Sequence, residues 1–140
     1  MKYESKPNAF SIPVRVYYED TDAGGVVYYA NYLKFFERCR TEWMRAAGYD
    51  QSQLAVDAGI GFVARKVSCQ YLKPARLDDQ LSVALEVEKL TRVRVIFRQH
   101  VRCGDVELVT GTVEIACVEM ATMKPAPIPE FLHCKLEALK

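Results

Sequence analysis

Glu19, Asp20 and Asp22 stand beside Gly24 and Gly25 in one short stretch of this 140-residue chain, and these are the residues best suited to chemistry. An aromatic-rich segment follows at once, and five of the eight tyrosines lie between Tyr17 and Arg40, at positions 17, 18, 28, 29 and 32. A carboxylate close to a helix N-terminus, with glycines that let backbone approach a ligand, supports acyl-transfer chemistry. A plainer reading competes. Acidic residues between a strand and a helix commonly form turns or favour the helix dipole. Paired glycines commonly mark turns, and the aromatic run, like most aromatic residues at helical spacing, is read as mostly core.

The flanking patterns say which elements must position these residues. Ile12 to Tyr18 alternates as a strand, with Val14, Val16 and Tyr18 on one face. Turn chemistry breaks it over Glu19 to Gly25. From there to Ala47 the period becomes helical: Tyr32, Phe35, Phe36, Cys39, Trp43, Ala46 and Ala47 share one face, Lys34, Arg38, Glu42 and Arg45 the other. Gly48 suits the stop. Gln51 to Ala58 reads as a second, short helix ending at Gly59. Phe62 to Leu72 reads as a strand closed by a Lys73-Pro74 turn. Two alternating runs follow, Leu81 to Val87 and Val93 to Phe97. A Cys103-Gly104-Asp105 hairpin turn precedes a last long strand marked by Val113, Ile115 and Cys117. Prolines 125, 127 and 129 then set off a C-terminal helix at about 130–140.

Strand, long helix, then four strands linked by turns predicts an α+β domain, a curved antiparallel sheet wrapped on one central helix. One domain over residues 1–140 is expected, with a tail at 1–11. The sheet's far face and edges need covering, which predicts a homo-oligomer.

Composition removes several classes. A net charge of +1 gives no global case for nucleic acid or an anionic membrane surface. Cys39, Cys69, Cys103, Cys117 and Cys134 are odd in number and widely spaced, and only His100 and His133 could join them. Structural zinc is not expected, and reduced thiols in the cytoplasm are. The polar, proline-broken N-terminus lacks the apolar stretch of a secretion signal, and no run reaches the ~20 apolar residues of a membrane span.

The residues DTDAGGVVYYANY, followed by FFER, closely resemble the signature of the hotdog-fold thioesterases of the 4-hydroxybenzoyl-CoA type. VRVYYEDTDAGGVVY and RTEWMRAAGY are most similar to the Tol-Pal-associated acyl-CoA thioesterase branch, and FVARKVSCQYLKPARLDDQL and MKPAPIP agree. The resemblance spans roughly residues 12–130. It implies a hotdog fold, hydrolysis of acyl-CoA to free acid and CoA without cofactor or metal, and a site at the interface of a homodimer or homotetramer. Asp22 is then the catalytic carboxylate, acting as nucleophile or as general base, and the backbone N–H of Tyr29 an oxyanion donor. Asp20 and Glu19 are read as structural.

One position departs from the branch, which usually carries histidine where this chain has Tyr29. A histidine shuttles protons near neutrality, whereas a phenol of ordinary pKa ~10 mainly donates or accepts a hydrogen bond. The preference for short aliphatic over aromatic acyl groups is therefore not carried over. Neither His100 nor His133 lies near the motif in sequence, and both are read as structural.

Coenzyme A brings phosphates that call for local Lys or Arg. Arg92 and Arg94, at the turn into and start of the fourth strand, are the candidates, ahead of Arg65, Lys66 and Lys124. A solvated strand face is the competing reading. Cys39 sits on the apolar stripe and reads as core. Three rival functions remain: an acyl carrier protein as the true acyl donor, a hotdog module that binds acyl-CoA or a partner protein with little turnover, and, less well supported, a dehydratase.

Overall fold

A computed structural model of the protein describes residues 10–140. The N-terminus read above as free of a secretion signal lies outside these residues, as does most of the expected tail. The elements are β1 (Phe10–Arg15), α1 (Asn31–Ala46), α2 (Gln51–Ala58), β2 (Ile60–Tyr71), β3 (Gln80–Leu90), β4 (Arg94–Cys103), β5 (Val106–Glu119) and α3 (Glu130–Leu139). The two short helices fall where the pattern put them. Asp50 caps α2 by accepting from the Ser52 N–H at 2.8 Å, and Gly59 ends it in the left-handed region, φ 67°.

Two boundaries differ from the periodicity, and both differences shape the loop. β1 stops at Arg15, and Tyr18 to Asp20 form one 3₁₀ turn. The Asp20 carboxylate accepts the Tyr17 N–H at 2.9 Å and draws the chain out of the sheet. Tyr18 is therefore exposed instead of sharing the buried face of Val14 and Val16. The helix begins at Asn31, not at the glycines, because Val26 and Val27 are taken up in bridges to Arg76 and Thr21. Ala46, expected on the buried stripe, is exposed; Tyr32, Phe35, Phe36, Cys39 and Trp43 are buried as read.

The five strands form one antiparallel sheet in the order β1-β3-β4-β5-β2. β2 and β3 are consecutive in the chain but are not neighbours, so Lys73-Pro74 does not close a hairpin. Residues 72–79 instead carry the chain back to the opposite side of the sheet. Alternation within a strand reports which face is buried, not which strand lies alongside. α1 packs on one face, where Cys39 donates its S–H to the Val83 carbonyl at 3.3 Å. Gly111 of β5 makes room for Phe36: a Cβ there would stand 2.9 Å from the ring and 3.0 Å from the Ser68 carbonyl. The edges are unequal. β1 is short and contains Pro13, whereas β2 runs for 12 residues, with Ala64 to Ser68 all exposed.

Candidate active site

Asp22 sits at the tip of a small hairpin that leads into α1. Its N–H donates to the Val26 carbonyl at 2.9 Å, and its carbonyl accepts from the Gly25 N–H at 3.0 Å. Gly25 takes φ 77°, a conformation that penalises a side chain. The Asp22 carboxylate is exposed, and its Oδ1 accepts the Gly24 N–H at 2.8 Å. A Cβ on Gly24 would lie 3.2 Å from that oxygen, so the glycine permits the close approach.

Asp20 has a different life in the same loop. It is buried, its carboxylate holds the 3₁₀ turn, and its carbonyl accepts from both Tyr28 N–H at 3.0 Å and Asn31 Nδ2 at 2.9 Å. Glu19 is exposed on the turn. One acid is spent on architecture, and Asp22 is left facing outward.

The Tyr28 carbonyl accepts the Asn31 N–H at 2.8 Å, and this turn opens the helix. Tyr29 and Ala30 therefore hold the first two free N–H groups, and neither donates to a described residue. Unpaired donors at the positive end of a 16-residue helix suit developing negative charge. The crossing segment fixes them from below. Val27 N–H donates to the Ala75 carbonyl at 2.9 Å, and Ala75, fully buried, donates its N–H to the Tyr32 hydroxyl at 3.1 Å.

Four of the five tyrosines in the segment are not core. Tyr17, Tyr18, Tyr28 and Tyr29 are exposed, and only Tyr32 is buried. The Tyr29 ring lies 4.8 Å from Tyr28 and 6.1 Å, edge-on, from Tyr71. An open depression of ≈ 250 Å³ is lined there by Val27, Tyr29, Tyr32, Tyr71, Lys73 and Pro74. A hydrogen bond with Tyr29 raises the Tyr28 phenol pKa, and burial raises those of Tyr32 and Tyr71. These three phenols stay protonated at neutral pH and serve as hydrogen-bonding groups.

The remaining sequence candidates lie elsewhere. Arg94 pairs with Glu114 at 3.5 Å, and Arg92 borders a separate depression with Ile128, Glu130 and His133. Arg94 stands in register with Ala116, and Ala116 with Val63, whereas the tyrosine depression begins at Tyr71. The two places are about 25 Å apart along β2 in one chain. Arg65 faces Glu114 at 3.8 Å. Cys39 is buried, with its thiol pKa pushed up to about 12 by burial, as befits a core residue. His100 is buried on the sheet face away from α1, where burial, then Arg102 and Arg98, lowers its pKa to about 4. Tyr71 and Ala75 were missed from the sequence. Their placement follows from the non-local crossing of residues 72–79, and only the apolar Tyr71-Leu72 pair before Lys73-Pro74 hints at it.

Residues 24–110 match the thioesterase superfamily, well over half of the chain. The chain belongs to this superfamily. Among similar proteins, the acyl-CoA thioesterase YbgC of Haemophilus influenzae is 43% identical over 133 residues, covering 95% of this chain and 98% of that protein. The acyl-CoA thioester hydrolase YbgC of Escherichia coli O6:H1 is 42% identical over 124 residues, covering 88% and 92%. The crystal structure of a probable thioesterase from Bartonella henselae superposes with a TM-score of 0.81 at 36% identity, covering 86% of this chain and 99% of that one. This thioesterase thus has the hotdog fold, with one antiparallel five-stranded sheet and a single long helix on it. Among its described residues no helix is long and apolar enough to cross a membrane.

Proposed function

We propose that this chain hydrolyses acyl-CoA to the free acid and CoA, with Asp22 as the catalytic carboxylate and the Tyr29 N–H as oxyanion donor. The observation that carries the reading is the pair itself: an outward carboxylate on the hairpin and, at the helix start that follows it, an N–H that donates to no described residue. The thioester carbonyl oxygen docks on the N–H, which stabilises the charge that develops as the carbonyl carbon is attacked. As nucleophile, Asp22 forms an anhydride, the C–S bond breaks and CoA leaves as a thiolate that takes a proton; water then cleaves the anhydride. As general base, Asp22 takes a proton from the water that attacks directly. Single turnover in ¹⁸O-water separates these routes, because only the nucleophilic one leaves the label in Asp22 after the anhydride is opened at that carbon.

The Tyr29 side chain supplies a ring and a hydroxyl, so aromatic acyl groups belong among the substrates. The active form is a homo-oligomer that pairs through β2. Among the described residues that edge is long and unpaired, and it carries the exposed apolar side chains of Val67 and Tyr71, with exposed Leu72 next to it. Five free cysteines suit a reducing cytoplasm. The deciding experiment is an assay over short, long and aromatic acyl-CoAs, and over acyl-acyl carrier protein, for wild type and Asp22→Asn. Unchanged hydrolysis in Asp22→Asn sinks the mechanism. Tight binding without turnover in the wild type makes the chain a binding module instead.

A further inference from the structure

Among the described residues four polar or charged side chains are buried: Asp20, Asn31, Gln99 and His100. Asp20 holds the 3₁₀ turn, and His100 lies on the sheet face away from α1. Gln99 links Arg40, which lines a cavity of ≈ 240 Å³ under the C-terminal half of α1, to the Phe36 carbonyl. Asn31 is different. It is the first residue of α1, where asparagine ordinarily serves as a cap for the free N–H groups of the first turn. The helix here starts without a side-chain cap, and the Asn31 amide turns away from it. Its Nδ2 donates to the Asp20 carbonyl at 2.9 Å.

That bond completes a small ring at the root of the hairpin. The Asp20 carbonyl also accepts the Tyr28 N–H at 3.0 Å, and the Tyr28 carbonyl accepts the Asn31 N–H at 2.8 Å. Tyr29 and Ala30 form the turn that this last bond closes. Beyond the ring the hairpin holds itself together: Thr21 bridges Val27, and the Asp22 N–H donates to the Val26 carbonyl at 2.9 Å. Its second strand is anchored to the crossing segment, by Val26 to Arg76 and by Val27 to Ala75. Its first strand, residues 20–22, carries Asp22 and has a single described hydrogen bond to α1, the one from Asn31.

We propose that Asn31 is a positioning residue, whose side-chain amide sets the Asp22 carboxylate in place relative to the Tyr29 N–H without touching the substrate. The proposal rests on the reading of those two groups given above. Loss of the amide leaves the Asp20 carbonyl its bond from Tyr28, so no buried acceptor is orphaned and the fold loses little. The strand that carries Asp22 is then free to shift against the helix. A displacement of ~1 Å in a reacting group costs on the order of 10²-fold in rate.

The test changes the amide in the full-length chain. Asn31→Leu keeps a branched side chain of similar size and removes the donors, whereas Asn31→Gln keeps the donors on a longer stem. Both are assayed with propionyl-CoA and benzoyl-CoA, as aliphatic and aromatic probes, and unfolded in urea. Asn31→Leu is expected to lose about 30- to 100-fold in kcat, with KM within about two-fold of wild type and the urea midpoint unmoved. Asn31→Gln is expected to regain about a third or more of the lost activity on a logarithmic scale. The double variant Asp22→Asn, Asn31→Leu is expected to be no slower than Asp22→Asn alone, since an absent carboxylate cannot be misplaced. An asparagine that only supports the fold lowers kcat by the same factor in both backgrounds, and that result overturns the proposal. So does a kcat within two-fold of wild type in Asn31→Leu, or failure of this variant to fold. Losses of kcat in the two Asn31 variants that simply follow their urea midpoints overturn it as well. Asp22→Asn active at the wild-type rate is a separate failure, that of the catalytic reading, and it leaves Asn31 nothing to position.

Discussion

The two halves of α1 do opposite things with the same helix. Its N-terminal end is open: Tyr28 and Tyr29 are exposed, Asp22 faces outward, and two backbone donors have no partner among the described residues. Its C-terminal half is closed, with Cys39 and Trp43 buried and Arg40 held over a cavity by a fully buried glutamine. Helix N-termini come with spare donors, so the end proposed to be reactive costs the fold little beyond leaving them unpaired. The other half encloses volume, which requires packed walls. Changes at the first end should therefore appear in rate, and changes in the packed body in stability.

The largest expected effect tests this within a single loop. Asp22→Asn should cost about 10³-fold or more in kcat, yet leave the urea midpoint where it was, because its one side-chain acceptor bond survives in the amide. Asp20→Ala, two residues away, should cost about 1 kcal/mol of stability through the lost Tyr17 bond. Equal losses of stability in the two variants would break the division.

In the body, His100 provides the next effect in size. Its pKa is lowered to about 4 in the fold, against an ordinary 6.5, so the unfolded chain takes up the proton first as pH falls. Stability is complete above about 6.5 and is lost as pH drops from there toward about 4, by about 3 kcal/mol in all. Urea midpoints at pH 7, 5.5 and 4.5 measure it, and His100→Gln should flatten the wild-type slope over this window. An unchanged slope in the variant would assign the acid sensitivity to other groups.

Tyr32 joins the two halves and should show a smaller effect in both readouts. Tyr32→Phe deletes the hydroxyl that accepts the buried Ala75 N–H, which costs about 1–2 kcal/mol. Ala75 also holds Val27 below the reactive loop, so kcat should fall by a few-fold together with stability. Loss of stability with an unaltered kcat would show that the loop does not depend on the crossing segment.

The sequence made local features legible and long-range ones not. Alternation located β3, β4 and β5, and the capping acid at 50 and glycine at 59 bounded α2, since these signals lie within a few residues of what they specify. The motif around Asp22 was legible because turn, acid and helix start are contiguous. The position of β2 at the far edge was not, because its partner β5 is chosen by side-chain complementarity across about forty to sixty residues. Everything contributed by that crossing was hidden with it: the Ala75 support, the Tyr71 ring and the depression between them. The tyrosines misled for a related reason. Spacing marks a face of the helix, and Tyr28 and Tyr29 precede its first residue.

The distance between the two ends also decides what Arg92 and Arg94 can do, the smallest effect expected here. In one chain they lie about 25 Å along β2 from the tyrosine depression, too far to share a substrate's thioester end. In the proposed pairing through β2, the Val63 end of one strand, one strand away from Arg94 across Ala116, would approach the Tyr71 end of the other. Arg94 already spends charge on Glu114, so its contribution to a phosphate is partial. Arg92→Ala with Arg94→Ala should raise KM for an acyl-CoA a few-fold at low salt and leave kcat intact, with the difference shrinking as ionic strength rises. The same acyl group on N-acetylcysteamine lacks the nucleotide phosphates, and its KM should not respond. An equal rise in KM for both thioesters would move these arginines from phosphate binding to the support of β4.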